Sequence, residues 1–89
     1  MLDKIKIALR ITHSYLDSEI EDCIASAKAE MLRAGISQSA IDNQDNLIEM
    51  AIKTYCLAHY SNNEKMAEGY ENSFQYQLEN LRKSSDYNV

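Results

Sequence analysis

The stretch Leu16–Gly35, LDSEIEDCIASAKAEMLRAG, decides the fold. Leu16, Ile20, Ile24, Ala27 and Met31 recur at four, four, three and four residues, the spacing of one helix face. Cys23 and Ala34 flank this stripe. Asp17, Glu19, Glu21 and Asp22 crowd the first turns, where free backbone N–H groups favour anions. Two start signals compete. Ser14 with Asp17 is an approximate capping box, and Ser18 with Glu21 is a full S-x-x-E box, so the helix starts between Tyr15 and Glu19. Arg33 suits the last turn, and Gly35 is the expected stop just past Ala34.

Upstream, residues 2–10, LDKIKIALR, place Leu2, Ile5 and Leu9 on one stripe. So short a helix does not stand alone in water and must dock on its neighbours. It is also the only basic segment, with Lys4, Lys6 and Arg10 against Asp3. Downstream, residues 35–46 form a polar connection in which Ser37 to Ile41 suits one helical turn. Asp45, or else Asn43, caps a central helix from Asn46 to Tyr60, with Leu47, Ile48, Ala51, Ile52, Tyr55, Ala58 and His59 as its expected buried face. After the break Ser61-Asn62-Asn63, a last helix runs from Glu64 to Arg82 on Met66 or Ala67, Tyr70, Phe74, Leu78 and Leu81. Gly69 inside it costs about 1 kcal/mol relative to Ala, which predicts a weak point or a close contact. The expected fold is all-α: a small bundle of about four helices, with a short N-terminal helix and a longer C-terminal one. Residues 1–83 form the expected single domain, and 84–89 a flexible polar tail.

Composition agrees with this reading. The 89 residues contain no proline and two glycines, too few for the many turns of an all-β domain. Length scaling predicts a folded surface near ~5,300 Å² and a thin core. No apolar run reaches the length of a membrane span, and no secretory signal pattern opens the chain. The formal net charge is −5, from 14 acids and 9 bases. A duplex-DNA binder carries a basic stripe to neutralise phosphates, and this chain lacks one.

Catalytic and metal chemistry also lack their signatures. His13 and His59 are far apart in sequence and share no ligand spacing with Cys23 or Cys56. Both cysteines fall on or beside apolar stripes, which predicts buried or half-buried free thiols in a reducing compartment, with a single disulfide as the other reading. The acids at the start of the second helix lack the glycine-centred loop of a calcium site. No phosphate-binding or nucleophile motif occurs. No catalytic residue, metal ligand or cofactor is therefore assigned. The tyrosines are more informative. Tyr55, Tyr60, Tyr70, Tyr76 and Tyr87 lie in the second half, and Tyr76 is off the core stripe. Exposed tyrosines favour interfaces, so the chain reads as a binder rather than an enzyme.

The order of these segments resembles the small head–tail connector, or head-completion, proteins of long-tailed bacteriophages. The likeness rests on Leu9-Arg10-Ile11 closing the first helix and on Ile20, Ile24 and Ala27 after an acidic start. It rests further on Leu47, Ile48, Ala51, Ile52 and Tyr55 in the third helix, and on the aromatic helix from Tyr70 to Leu81. It spans about residues 2–82. Asn46 stands where the family pattern has proline, which softens the helix start and changes no function.

The resemblance implies a non-catalytic structural protein of the virion. Such proteins form a homo-oligomeric ring beneath the portal protein, extend the DNA channel and meet a tail-side connector or stopper. They are made in the host cytoplasm and require no cofactor and no membrane. DNA passes through without specific binding, which an acidic wall would favour. Lys4, Lys6 and Arg10 are expected to meet Asp17 and Glu21 of a neighbouring subunit. Tyr76, Leu78, Leu81, Arg82, Lys83 and Tyr87 are expected at the portal or tail interface, chosen for exposure and lateness in the chain. Other readings are a helical adaptor or inhibitor that binds a host protein, and a DNA-binding regulator. The latter would read bases with a helix bearing Glu49 and only Lys53, a poor reader of phosphate or guanine.

Overall fold

The computed structural model describes residues 1–84, 86 and 87. The described residues form five helices and no β-strand: α1 (Leu2–Leu9), α2 (Asp17–Arg33), α3 (Gln38–Asn43), α4 (Asn46–Tyr60) and α5 (Glu64–Lys83). The all-α expectation holds. The short turn expected at 37–41 is a helix in its own right, because the Ser37 hydroxyl accepts from the Ala40 amide and Ile41 inserts into the core.

α4 is the hub. It packs against α1, α2 and α5, while α3 rests on α2. Ile48, Ile52 and Cys56, one turn apart, form its fully buried line, with Ala51 beside them. Opposite this line lie Ile20, Cys23, Ile24, Ala27 and Met31 of α2, Ile5 of α1, and Phe74, Leu78 and Leu81 of α5. Phe74 meets the Tyr55 ring edge-on, with centroids 5.1 Å apart, which locks α5 to α4. Among the described residues, Thr54 is the one buried polar residue; its hydroxyl donates to the Met50 carbonyl at 2.8 Å and accepts from Gln77 Nε2 at 3.2 Å. The principal extents are 38 × 27 × 19 Å, a flattened body.

Helix ends show where local signals win and where packing overrides them. Asp45 caps α4, its Oδ1 accepting from the amides of Leu47 and Ile48, both at 3.1 Å. Asn63 caps α5 in the same manner. α2 starts at Asp17 with Leu16 at the cap, and neither Ser14 nor Ser18 caps it by its side chain. Leu16 packs against the core, and the Lys6 ammonium holds Asp17 at 2.7 Å, so packing and charge set this start. Gly35 follows the α2 C-cap at φ +102°, as the sequence predicts.

Two expected core positions, Leu47 and His59, face solvent, and the choice between Met66 and Ala67 falls to Ala67. Leu47 sits in the first turn of α4, off the Ile48 line, and is 52% exposed. His59 is in phase with Ile52 but lies in the last turn, where surface grooves open on either side of it. Met66 is exposed, and Ala67 takes the half-buried place. A side chain at Gly69 would meet nothing within 4 Å, so its backbone makes no close contact.

Candidate functional site

The candidate surfaces lie at the two ends of α4. At the C-terminal end, the start of α2 meets the end of α4, and Glu19, Asp22, Cys23, Tyr55, His59 and Tyr60 share a groove. Burial pushes the Tyr55 and Tyr60 phenols and the Cys23 and Cys56 thiols up from their ordinary ranges. A thiol held protonated is a poor nucleophile and a poor ligand, so neither cysteine is primed for chemistry. Among the described residues, no group of three or more His, Cys, Asp or Glu side chains could hold a metal ion.

At the N-terminal end of α4, the chain folds back on itself. The Tyr87 hydroxyl donates to Asp45 Oδ2, and the Ser37 amide donates to the Tyr87 carbonyl at 2.6 Å. One C-terminal residue thus ties the caps of both α3 and α4. The Tyr87 bond and the Ile48 amide hold the Asp45 carboxyl below the usual carboxylate range, and the carboxylate pushes the Tyr87 phenol up. Beside this strap lies a mainly apolar groove of about 180 Å³, lined by Leu47, Met50, Gln77, Leu81 and Tyr87 among others. Leu47 and Met50 are 52% and 53% exposed. No helix among the described residues is long and apolar enough to cross a membrane.

A family model described as phage connector protein matches residues 1–88. The chain belongs to that family. No curated protein and no solved structure matches it significantly. Membership places it among structural components of the phage particle that associate with the portal, capsid or tail. The match runs through every helix described above.

Within one connector chain, the residues expected at a subunit interface are partly engaged already. Lys6 pairs with its own Asp17, both largely covered, and Lys4 pairs with Glu49 at 2.9 Å. These pairs fix α1 to α2 and α4. Arg10 is exposed at the left-handed end of α1 (φ 59°), and Glu21 is exposed; neither has an ion-pair partner among the described residues. Of the residues expected at the portal or tail, Tyr76 is 70% exposed. Arg82 and Lys83 are also exposed, pairing with Glu79 at 2.7 and 3.9 Å. Leu78 and Leu81 are buried and hold α5 in place, with Leu81 reaching one groove wall. Of the expected flexible tail 84–89, Ser85, Asn88 and Val89 lie outside the described residues. Tyr87 is docked as described above.

Sequence reasoning missed the Tyr87 strap and the groove beside it. Leu47 and Met50, three residues apart and off the Ile48 stripe, were the available signal for the groove. The strap has no local signal, because it joins residues 42 positions apart.

Proposed function

We propose that this connector forms a homo-oligomeric ring at the portal vertex, extending the DNA channel and joining the capsid to the tail, without catalysis. The match along residues 1–88 carries this reading. The surface supports it in three ways. The net charge of −5 suits a wall that DNA slides past. Exposed aromatics such as Tyr15 and Tyr76 suit protein contacts. Arg10 and Glu21 are free to pair with neighbouring subunits, while Lys4, Lys6 and Asp17 contribute by fixing α1. Tyr76, Arg82, Lys83 and the Tyr87 strap then face the portal or the tail-side stopper. Assembly belongs to the host cytoplasm, and the ring persists in the virion.

The deciding experiment is solution mass by size exclusion with light scattering, with the chain alone and mixed with the portal protein of the same phage. A ring, or co-elution with the portal, is the expected result. A monomer that ignores the portal at every concentration would overturn the proposal and favour a host-binding adaptor.

A further inference from the structure

Two features on opposite flanks of α2 complement each other. The first is the groove at the C-terminal end of α4, about 370 Å³ in volume. Glu19 and Asp22 line it from α2, and Tyr55, His59 and Tyr60 line it from α4. Neither carboxylate has an ion-pair partner among the described residues. Burial, and after it nearby negative charge that includes Glu19 and Asp22, pushes the Tyr60 phenol up, so these acids act where the ring lies. Carboxylates beside aromatic rings suit a guanidinium, whose fork pairs with the acids while its flat face stacks on a ring.

The second feature is the exposed end of α1. Of the three arginines, Arg33 and Arg82 pair within their own helices, whereas Arg10 has no ion-pair partner among the described residues. Arg10 is also held in the left-handed conformation (φ 59°), where glycine is the usual residue. The fold thus carries an arginine, at a conformational cost, where its guanidinium meets no acid of its own chain. Ile7, one turn earlier, is 77% exposed, so this end of α1 offers an apolar side chain as well as a cation.

α2 separates the two features. Lys6 pairs with Asp17, and Met1 and Leu2 lie beside Glu21 and Lys28, so α1 covers one flank of α2. Glu19, Asp22 and Ser26, which line the groove, lie about 150° away around the helix at 3.6 residues per turn. The other free acid, Glu21, shares the α1 flank with Arg10. A contact between Arg10 and Glu21 would join identical flanks and close at a dimer. The α1 flank of one copy against the groove flank of the next is head to tail, the type of contact that repeats around a ring.

We infer that Arg10 of one connector subunit seats its guanidinium in the groove of the next, on Glu19 and Asp22 and against the Tyr60 ring, with Ile7 packed on the rim. This inference rests on the ring reading above and names the two faces that meet.

The test is charge exchange in the full chain, with association followed by sedimentation at low salt, alone or seeded on the portal. Arg10→Glu and Asp22→Lys are each expected to weaken association about tenfold, and the double variant to recover most of that loss. Arg10→Glu combined with Glu21→Lys is expected to recover none. Arg10→Lys, which keeps the charge and loses the fork, is expected to weaken association less than Arg10→Glu. Unaltered helix content separates these effects from misfolding. Recovery by Glu21→Lys instead of Asp22→Lys, or single variants that associate like the natural chain, overturns this contact while the natural ring still stands. Failure of the natural chain to assemble under any condition overturns both.

Discussion

Asp45 concentrates more of the local order than any other polar side chain here. One carboxylate oxygen closes the first turn of α4 and the other receives the Tyr87 phenol. Removing both roles by Asp45→Ala should cost about 1 kcal/mol or more, read from urea denaturation. Asp45→Asn keeps a capping oxygen but cannot charge, and it supplies the pH test. The Asp45 carboxyl is held low, so its contribution is complete above the ordinary carboxylate value, about 3.9, and disappears as pH falls through the folded value. The Tyr87 phenol is held high, so its share is complete below about 10 and is lost as pH rises through its folded value. The stability gap between the natural chain and Asp45→Asn should therefore be widest near neutral pH and close on acidification. A gap that stays constant through the carboxylate range would show that the Tyr87 bond does not form in solution.

At the scale of elements, the two most informative substitutions lie in α5. Gly69 faces open solvent in mid-helix, so Gly69→Ala gains helix propensity with no steric cost. A gain of about 0.5–1 kcal/mol is expected, seen as a rise in thermal midpoint of several degrees; a loss would mean that this turn is bent in solution. Phe74 is the opposite case, buried and edge-on to Tyr55. Phe74→Ala should cost about 3–5 kcal/mol and release α5 first, visible as early amide exchange in residues 64–83. The helices themselves were readable in the sequence because their apolar residues keep a period near 3.6, as Ile20, Ile24, Ala27 and Met31 do. Their ends were readable only where a side chain closes them, as Asp45 and Gly35 do. The start of α2 was not, because Lys6 and the packing of Leu16 set it from outside the helix. His59 defeated the periodic reading for a related reason: phase reports which face a residue is on, not whether a neighbour reaches that far along the axis. The interface residues were the least readable, since Lys4 and Lys6 look free in sequence and are spent within the chain.

For the whole molecule, the accessible surface is 5858 Å², above the ~5,300 Å² that mass scaling gives an average folded monomer of this size. The excess goes with the flattened shape and with a core one side chain deep around α4. Such a body gains stability from neighbours, so its thermal midpoint should rise with concentration wherever the ring forms. Charge reversal at Arg10 is the cleanest probe of subunit contact, since Arg10 serves no ion pair within the described chain. Arg10→Glu should weaken self-association at low salt and leave the isolated fold unchanged, measured by sedimentation and by circular dichroism. Equal association of the two forms would move the subunit boundary away from α1.

The Cys56 thiol under α4 also makes this protein its own clock. Cys56 is sealed and burial keeps it protonated, so an alkylating reagent reaches it only when the bundle opens, unlike Cys23, which borders a surface groove. The labelling rate of Cys56 at fixed reagent then reports how often a single subunit breathes. Followed in the free chain and again inside intact particles, this one sulfur would report how far the surrounding assembly slows that motion, with no substitution in the chain.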